Sequence, residues 1–179
     1  MFTLKSYQKN ALFCLEEFLV NCRHLSHQEA FNKALLEQGR SSQTYNQLFK
    51  KAPSACLRVP TGGGKTVMAA HSVALAGKAI LDSDTPTVLW LTPSDTIRSQ
   101  TLEALSNSQH PYRQALAEKF GDRVRVCDLD SLQTINPQDM GQACVVVVAT
   151  IQSFNVTNTS QRNVYSFFEE LAPHFSSLR

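Results

Sequence analysis

The 179-residue sequence has no apolar run long enough to cross a bilayer. Its first ten residues, MFTLKSYQKN, put lysine and glutamine where a secretory leader carries an apolar core. There is no CxxC pair and no cysteine–histidine spacing of the zinc-binding kind. The 5 cysteines (Cys14, Cys22, Cys56, Cys127 and Cys144) are scattered and odd in number. Such thiols fit a reducing compartment, where they act as small core residues, so the expected location is cytoplasmic, with no membrane partner. Charged residues make up only 18% of the chain, and no charged block or low-complexity tract interrupts it. That composition reads as folded and soluble. A net charge of +2 does not mark a nucleic-acid binder either, because the grip on phosphates comes from local Lys and Arg placement.

What is present is enough apolar material, 42% of the residues, to bury one substantial core. A first helix is predicted from an N-cap at Ser6, with Ala11, Leu12, Leu15, Phe18, Leu19 and Cys22 at helical spacing. His24–Lys51 is polar, with helical stretches at Ala30–Leu36 and Tyr45–Phe49, and reads as a helical surface insertion. From there strands and helices alternate. Strands are predicted at Ala55–Val59, Thr87–Leu91, Val124–Cys127 and Val145–Ala149, the last a continuous VVVVA run of the kind covered on both faces. Helices are predicted from Lys65 to about Ala79, from Pro93-Ser94 through Leu105, over Pro111–Phe120 and over Gln161–Leu171. Alternation with compact turns implies an α/β fold with a parallel sheet, whose ligands sit at the carboxyl ends of the strands. The expected division is a helical region over 1–52 and a partial α/β domain over 53–179.

Three of the seven glycines stand together in Pro60-Thr61-Gly62-Gly63-Gly64-Lys65-Thr66. Glycines in succession let the backbone curl so that its N–H groups point inward at a phosphate. The helix that follows offers its free N–H groups and positive dipole end to the same anion. Lys65 is then placed for the β/γ-phosphates of ATP, and the Thr66 hydroxyl for Mg²⁺. The alternative is a glycine-rich turn with an exposed lysine. Val59 stands where the general phosphate-loop pattern has glycine, so the match is to the narrower Pro-Thr-Gly-x-Gly-Lys-Thr form.

That form resembles motif I of superfamily-two helicases, the DEAD/DEAH class. Three further segments resemble that class in order. Leu4-Lys5-Ser6-Tyr7-Gln8 is similar to its adenine-reading Leu-Arg-x-Tyr-Gln, with Lys5 in place of arginine, and the resemblance assigns Tyr7 and Gln8 to the base. Thr92-Pro93-Ser94-Asp95-Thr96-Ile97-Arg98-Ser99-Gln100 resembles motif Ia, although Asp95 and Thr96 depart from its Arg-Glu pair. Thr150-Ile151-Gln152 resembles the Thr-x-Gln motif. In the family both of these bind the nucleic-acid backbone, which implies that role for Thr92, Pro93, Ser94, Arg98, Thr150 and Gln152. More narrowly, Leu4–Phe154, apart from His24–Lys51, resembles at motif level the N-terminal part of the restriction (Res) subunit of Type III restriction enzymes. The fold so implied is RecA-like, the first motor domain, and the cofactors are ATP and Mg²⁺. The implied partners are DNA, with RNA as the alternative, a second RecA-like domain, and a methyltransferase or other defence subunit.

Some parts of such a motor are not found. The apolar strand Val145–Ala149 runs into Thr150 rather than an Asp-Glu pair, and Asp128 and Asp130 read as turn residues. No second motor domain or nuclease constellation is recognisable, so the chain reads as the front of a longer ATPase that would hydrolyse ATP poorly alone. An RNA helicase, a non-motor nucleotide-binding module and, further off, a small-molecule kinase are the competing readings. His24 and His27 lack a third metal ligand, His71 reads as a core histidine, Trp90 as core, and Phe167, Phe168 and Phe175 as packing residues.

Overall fold

In the computed structural model, residues 3–49, 52–131 and 141–154 are described. The helix expected over 161–171, with Phe167, Phe168 and Phe175, lies outside them. Helix α1 spans Ser6–Asn21 and α2 His27–Glu37. Lys5, not Ser6, is the N-cap of α1, and its backbone N–H is taken by Gln8 Oε1 at 2.8 Å. Ser26 caps α2 in a reciprocal box with Glu29, which satisfies two amides that a helix start leaves open. Residues 45–49 are not helical. Tyr45 is held instead by side-chain bonds, its N–H to Gln28 Oε1 at 2.8 Å and its hydroxyl oxygen accepting from Ser54 N–H at 2.7 Å. Its ring packs on Phe18 and Phe31. Tertiary anchoring of that one aromatic outweighs the weak helical preference of Thr-Tyr-Asn.

Helix α3 (Lys65–Leu81) is rich in alanine, valine and leucine, and buries Val67, Met68, Ala70, Val73 and Ala79. It packs against α1 on one side and α5 on the other. Strand β1 (Thr87–Thr92) leads into α4 (Asp95–Ser106), and α5 (Pro111–Phe120) precedes β2 (Val124–Asp128). Strand β3 (Cys144–Thr150) closes the described set with a short 3-10 turn over Ile151–Phe154.

The sheet is parallel, in the order β1-β3-β2. β3 lies in the centre because its β-branched run can be covered on both faces, and all seven of its residues are buried. Cys144, Val146 and Val148 share a core with Ala70 and Val73 of α3, Leu105 of α4, and Leu116 and Phe120 of α5. Val145 and Val147 occupy the opposite face beside Cys127. Trp90 and Val88 pack half-buried against the first core, whereas Leu89 and Leu91 on the other face of β1 are 40% and 47% exposed. This is the expected RecA-like α/β arrangement of a parallel sheet with flanking helices.

One expected strand is not formed. Ala55–Val59 has no ladder partner and is exposed to half-buried along its length. Leu57 and Val59 face a cleft of about 720 Å³ bounded by α3 and β1. An extended segment becomes a strand only by pairing, and β1, the end strand on that side, pairs with β3 alone among the described residues.

Candidate functional site

The phosphate-type loop lies between Val59 and the start of α3. Gly62 and Gly64 take φ of 75° and 81°, a left-handed conformation that costs a residue with a Cβ about 1–2 kcal/mol. Gly63 is buried, and its N–H closes a turn onto the Pro60 carbonyl at 2.9 Å. A Cβ at Gly63 would lie 2.6 Å from Val59 Cγ1 and 2.9 Å from Pro60 O, so the turn requires glycine there too. No side chain caps the N-terminus of α3. Its first-turn amides therefore remain available to an anion, with the helix dipole in support.

Thr61 and Lys65 are exposed and Thr66 is half-buried at the mouth of this loop. Lys65 Nζ rests 3.4 Å from the carbonyl of Pro60, folded back on its own loop. The three glycines, the uncapped helix start and the Lys65-Thr66 pair fit a nucleoside triphosphate with Mg²⁺. The loop amides and Lys65 would hold the phosphates, and the Thr66 hydroxyl would ligate the metal, which would supply charge neutralisation at the terminal phosphates. Among the described residues no group of three or more His, Cys, Asp or Glu is gathered to hold a metal by itself.

Tyr7 and Gln8 lie against this loop, brought there by the packing of α1 on α3. The Tyr7 hydroxyl donates to the Gly63 carbonyl at 2.7 Å, and Gln8 Nε2 donates to the same oxygen at 2.9 Å. Gln8 is only 2% exposed, so both ends of its amide are committed, one to Gly63 and one to Lys5. Nothing in the local pattern of Leu4–Gln8 announces that link, because it depends on how two helices cross.

The other two motifs meet at the carboxyl end of the sheet. The parallel register sets Thr92 opposite Thr150. Both are buried, at 2% and 3% exposure, and both hydroxyls are engaged. Thr92 Oγ1 bonds the Ala149 carbonyl at 3.2 Å, and Thr150 Oγ1 meets Ser153 Oγ at 2.8 Å. Ser94 caps α4 by accepting from Ile97 N–H. Gln152 is exposed, and its amide donates to the Pro93 carbonyl at 3.3 Å, tying the two loops together. Pro93, Ser94 and Gln152 thus present themselves to solvent, while Thr92 and Thr150 support them from below.

Arg98 points elsewhere. Its guanidinium is paired with Asp95 and with Asp128, each at 3.2 Å. Asp128 is the final residue of β2 and the only acidic residue in a strand among the described residues. Hydrogen bonds from Ser131, with Arg98 in support, hold its carboxyl below the ordinary value of 3.8 against the opposing effect of burial. It serves the α4–β2 junction, a role its place after a mixed strand does not advertise.

A family model described as Type III restriction enzyme, res subunit, matches residues 1–171. No curated protein and no solved structure matched the chain.

Proposed function

The chain belongs to the family of Type III restriction enzyme res subunits, helicase-like ATPases of superfamily two, and from that premise we propose that it is the ATP-gripping part of a DNA translocase or helicase of the restriction or phage-defence type. The observation that carries the proposal is the glycine loop feeding directly into an uncapped helix start, with Lys65 and Thr66 as that helix's first two residues. In this reading Gly62, Gly63, Gly64 and Thr61 wrap the phosphates and Lys65 neutralises them. Thr66 ligates Mg²⁺, and Tyr7 and Gln8 of the helical region 1–52 close the site from the α1 side. The exposed strand-end groups of Pro93, Ser94 and Gln152 are suited to the sugar-phosphate backbone, where hydroxyl, amide and helix N–H donors fix position without reading sequence. Such contacts do not distinguish DNA from RNA, so an RNA helicase is the alternative.

Hydrolysis also needs an acid to orient water and support the metal. Among the described residues the strand-end carboxylate is Asp128, and it is already engaged by Arg98 and Ser131. We therefore assign that acid, the second RecA-like domain and any nuclease to other parts of the active assembly, with a methyltransferase or other defence subunit as a further partner. The same observation favours a second reading, a nucleotide-binding module without motor activity.

The deciding experiment measures ATP hydrolysis by the intact protein with duplex DNA, with structured RNA and with neither. Stimulation by DNA, abolished in Lys65→Ala, is expected. Turnover retained in Lys65→Ala would overturn the assignment of the loop. Nucleotide binding without hydrolysis under any condition would favour the non-motor reading.

A further inference from the structure

The Gly63 carbonyl is the meeting point of two side chains from α1. The Tyr7 hydroxyl reaches it at 2.7 Å and Gln8 Nε2 at 2.9 Å. A trans peptide points its C=O and N–H in opposite directions. Fixing the Gly63 oxygen toward α1 therefore fixes the Gly64 N–H away from it. Among the described residues no acceptor takes that N–H. The contact is close by design of the loop, since a Cβ on Gly64 would collide with Gln8 Nε2. In this arrangement one N–H of the Gln8 amide and the Tyr7 hydroxyl proton are directed at the loop. Gln8 is 2% exposed with its Oε1 held by Lys5, and the Tyr7 hydroxyl is spent on the carbonyl although Tyr7 as a whole is 44% exposed.

We propose that Tyr7, together with Gln8, is a positioning residue for the phosphate loop. The pair clamps the Gly63 carbonyl so that the Gly64 N–H is already turned outward to meet a phosphate. A donor aligned before binding spares the ordering cost on binding. Its effect falls on the phosphates and is the same whichever base the nucleotide carries. The proposal rests on the nucleotide reading above and deepens it, giving Tyr7 a role through the loop in place of direct contact with adenine.

The test compares the wild-type protein with Tyr7→Phe, which removes one hydroxyl and keeps the ring. Affinities for ATP, GTP and inorganic tripolyphosphate, each with Mg²⁺, are measured by calorimetry. Loss of the bond is expected to weaken all three by the same factor, roughly three- to tenfold. Weakening of ATP with tripolyphosphate unchanged would mean a base contact and overturn the clamp, as would three unchanged affinities. A second measurement needs no ligand. In protein carrying nitrogen-labelled glycine, the Gly64 amide resonance is expected to move in Tyr7→Phe while that of Gly121, remote in the fold, stays in place. An unmoved Gly64 resonance also overturns the proposal. Were the wild type to bind none of the three probes, the nucleotide reading would fall, and the Gly64 resonance would still decide whether Tyr7 holds the peptide.

Discussion

Arg98 of α4 and Asp128 at the end of β2 form an ion pair at 3.2 Å, with only 24% and 23% of their side chains exposed. Arg98 Nε also bonds Asp95 in its own helix, so the guanidinium is held at both ends. A cation committed in this way staples helix to sheet.

Replacing Arg98 by alanine is therefore expected to lower stability by about 1 kcal/mol, the upper range for pairs that water still reaches. Asp128→Ala should cost about 2 kcal/mol, because Ser131 N–H, 2.9 Å from Asp128 Oδ1, loses its acceptor as well. Chemical denaturation of both variants and of the double variant measures the coupling. A double variant whose loss equals the sum of the two single losses would show that the pair contributes nothing.

The same carboxylate sets an acid limit. Its folded value lies below the ordinary 3.8, owing first to the Ser131 hydroxyl and then to the Ser131 amide and Arg98. A depressed carboxyl contributes stability that is fully present above its unfolded value and is lost as pH falls through its folded value. The stability difference between wild type and Asp128→Asn should thus be widest near about pH 6 and shrink below about pH 4. A difference that stays constant across that range would contradict the assignment.

The cysteines should divide sharply by reactivity. Burial pushes the Cys144 thiol up to about 12 and the Cys127 thiol, with Asp128 beside it, to about 11. Cys56 is exposed on the unpaired segment that borders the loop. Since the thiolate is the nucleophile, iodoacetamide at neutral pH is expected to label Cys56 first, and Cys144 only when the fold opens. Peptide mass mapping over time reads the order, and equal rates at Cys56 and Cys144 would show that β3 is not packed as described.

Gly77→Ala offers a contest between two effects of known sign. In a helix interior the change gains about 1 kcal/mol of intrinsic preference. Here a Cβ would sit 2.9 Å from Cγ of Pro86, a rigid ring, and 3.2 Å from its Cβ. Overpacking of that kind costs about 1–3 kcal/mol. Net destabilisation is expected, visible as a lower melting temperature, and a gain in stability would mean that the α3–β1 turn yields more easily than its geometry implies.

Much of this was legible in the sequence where the signal is local. The VVVV run announced a strand buried on both faces, and β3 is such a strand. Ser26-x-x-Glu29 is a helix start of the readable kind, as is Pro111 at the head of α5. The α3 start after three glycines was equally plain. What escaped depends on contacts between segments distant in sequence. Ala55–Val59 has strand composition but no ladder partner among the described residues, and Tyr45 leaves helix for the rings of Phe18 and Phe31. The pairing of Arg98 with Asp128 joins residues thirty positions apart. The Tyr7 and Gln8 bonds to Gly63 span 56 and 55 positions, so no window along the chain could reveal them.

The strand order carries a consequence for how the molecule comes into being. β1 and β2 touch β3 but not each other, and β3 is the last of the three to be made. Among the described residues, 87–92 and 124–128 therefore have no ladder partner until residues up to 150 have been synthesised, at about 5–20 residues per second. During that interval the helices can form on local contacts alone, while β1 and β2 remain open to wrong partners. The three described strands can thus complete their ladders only once β3 is present at the centre.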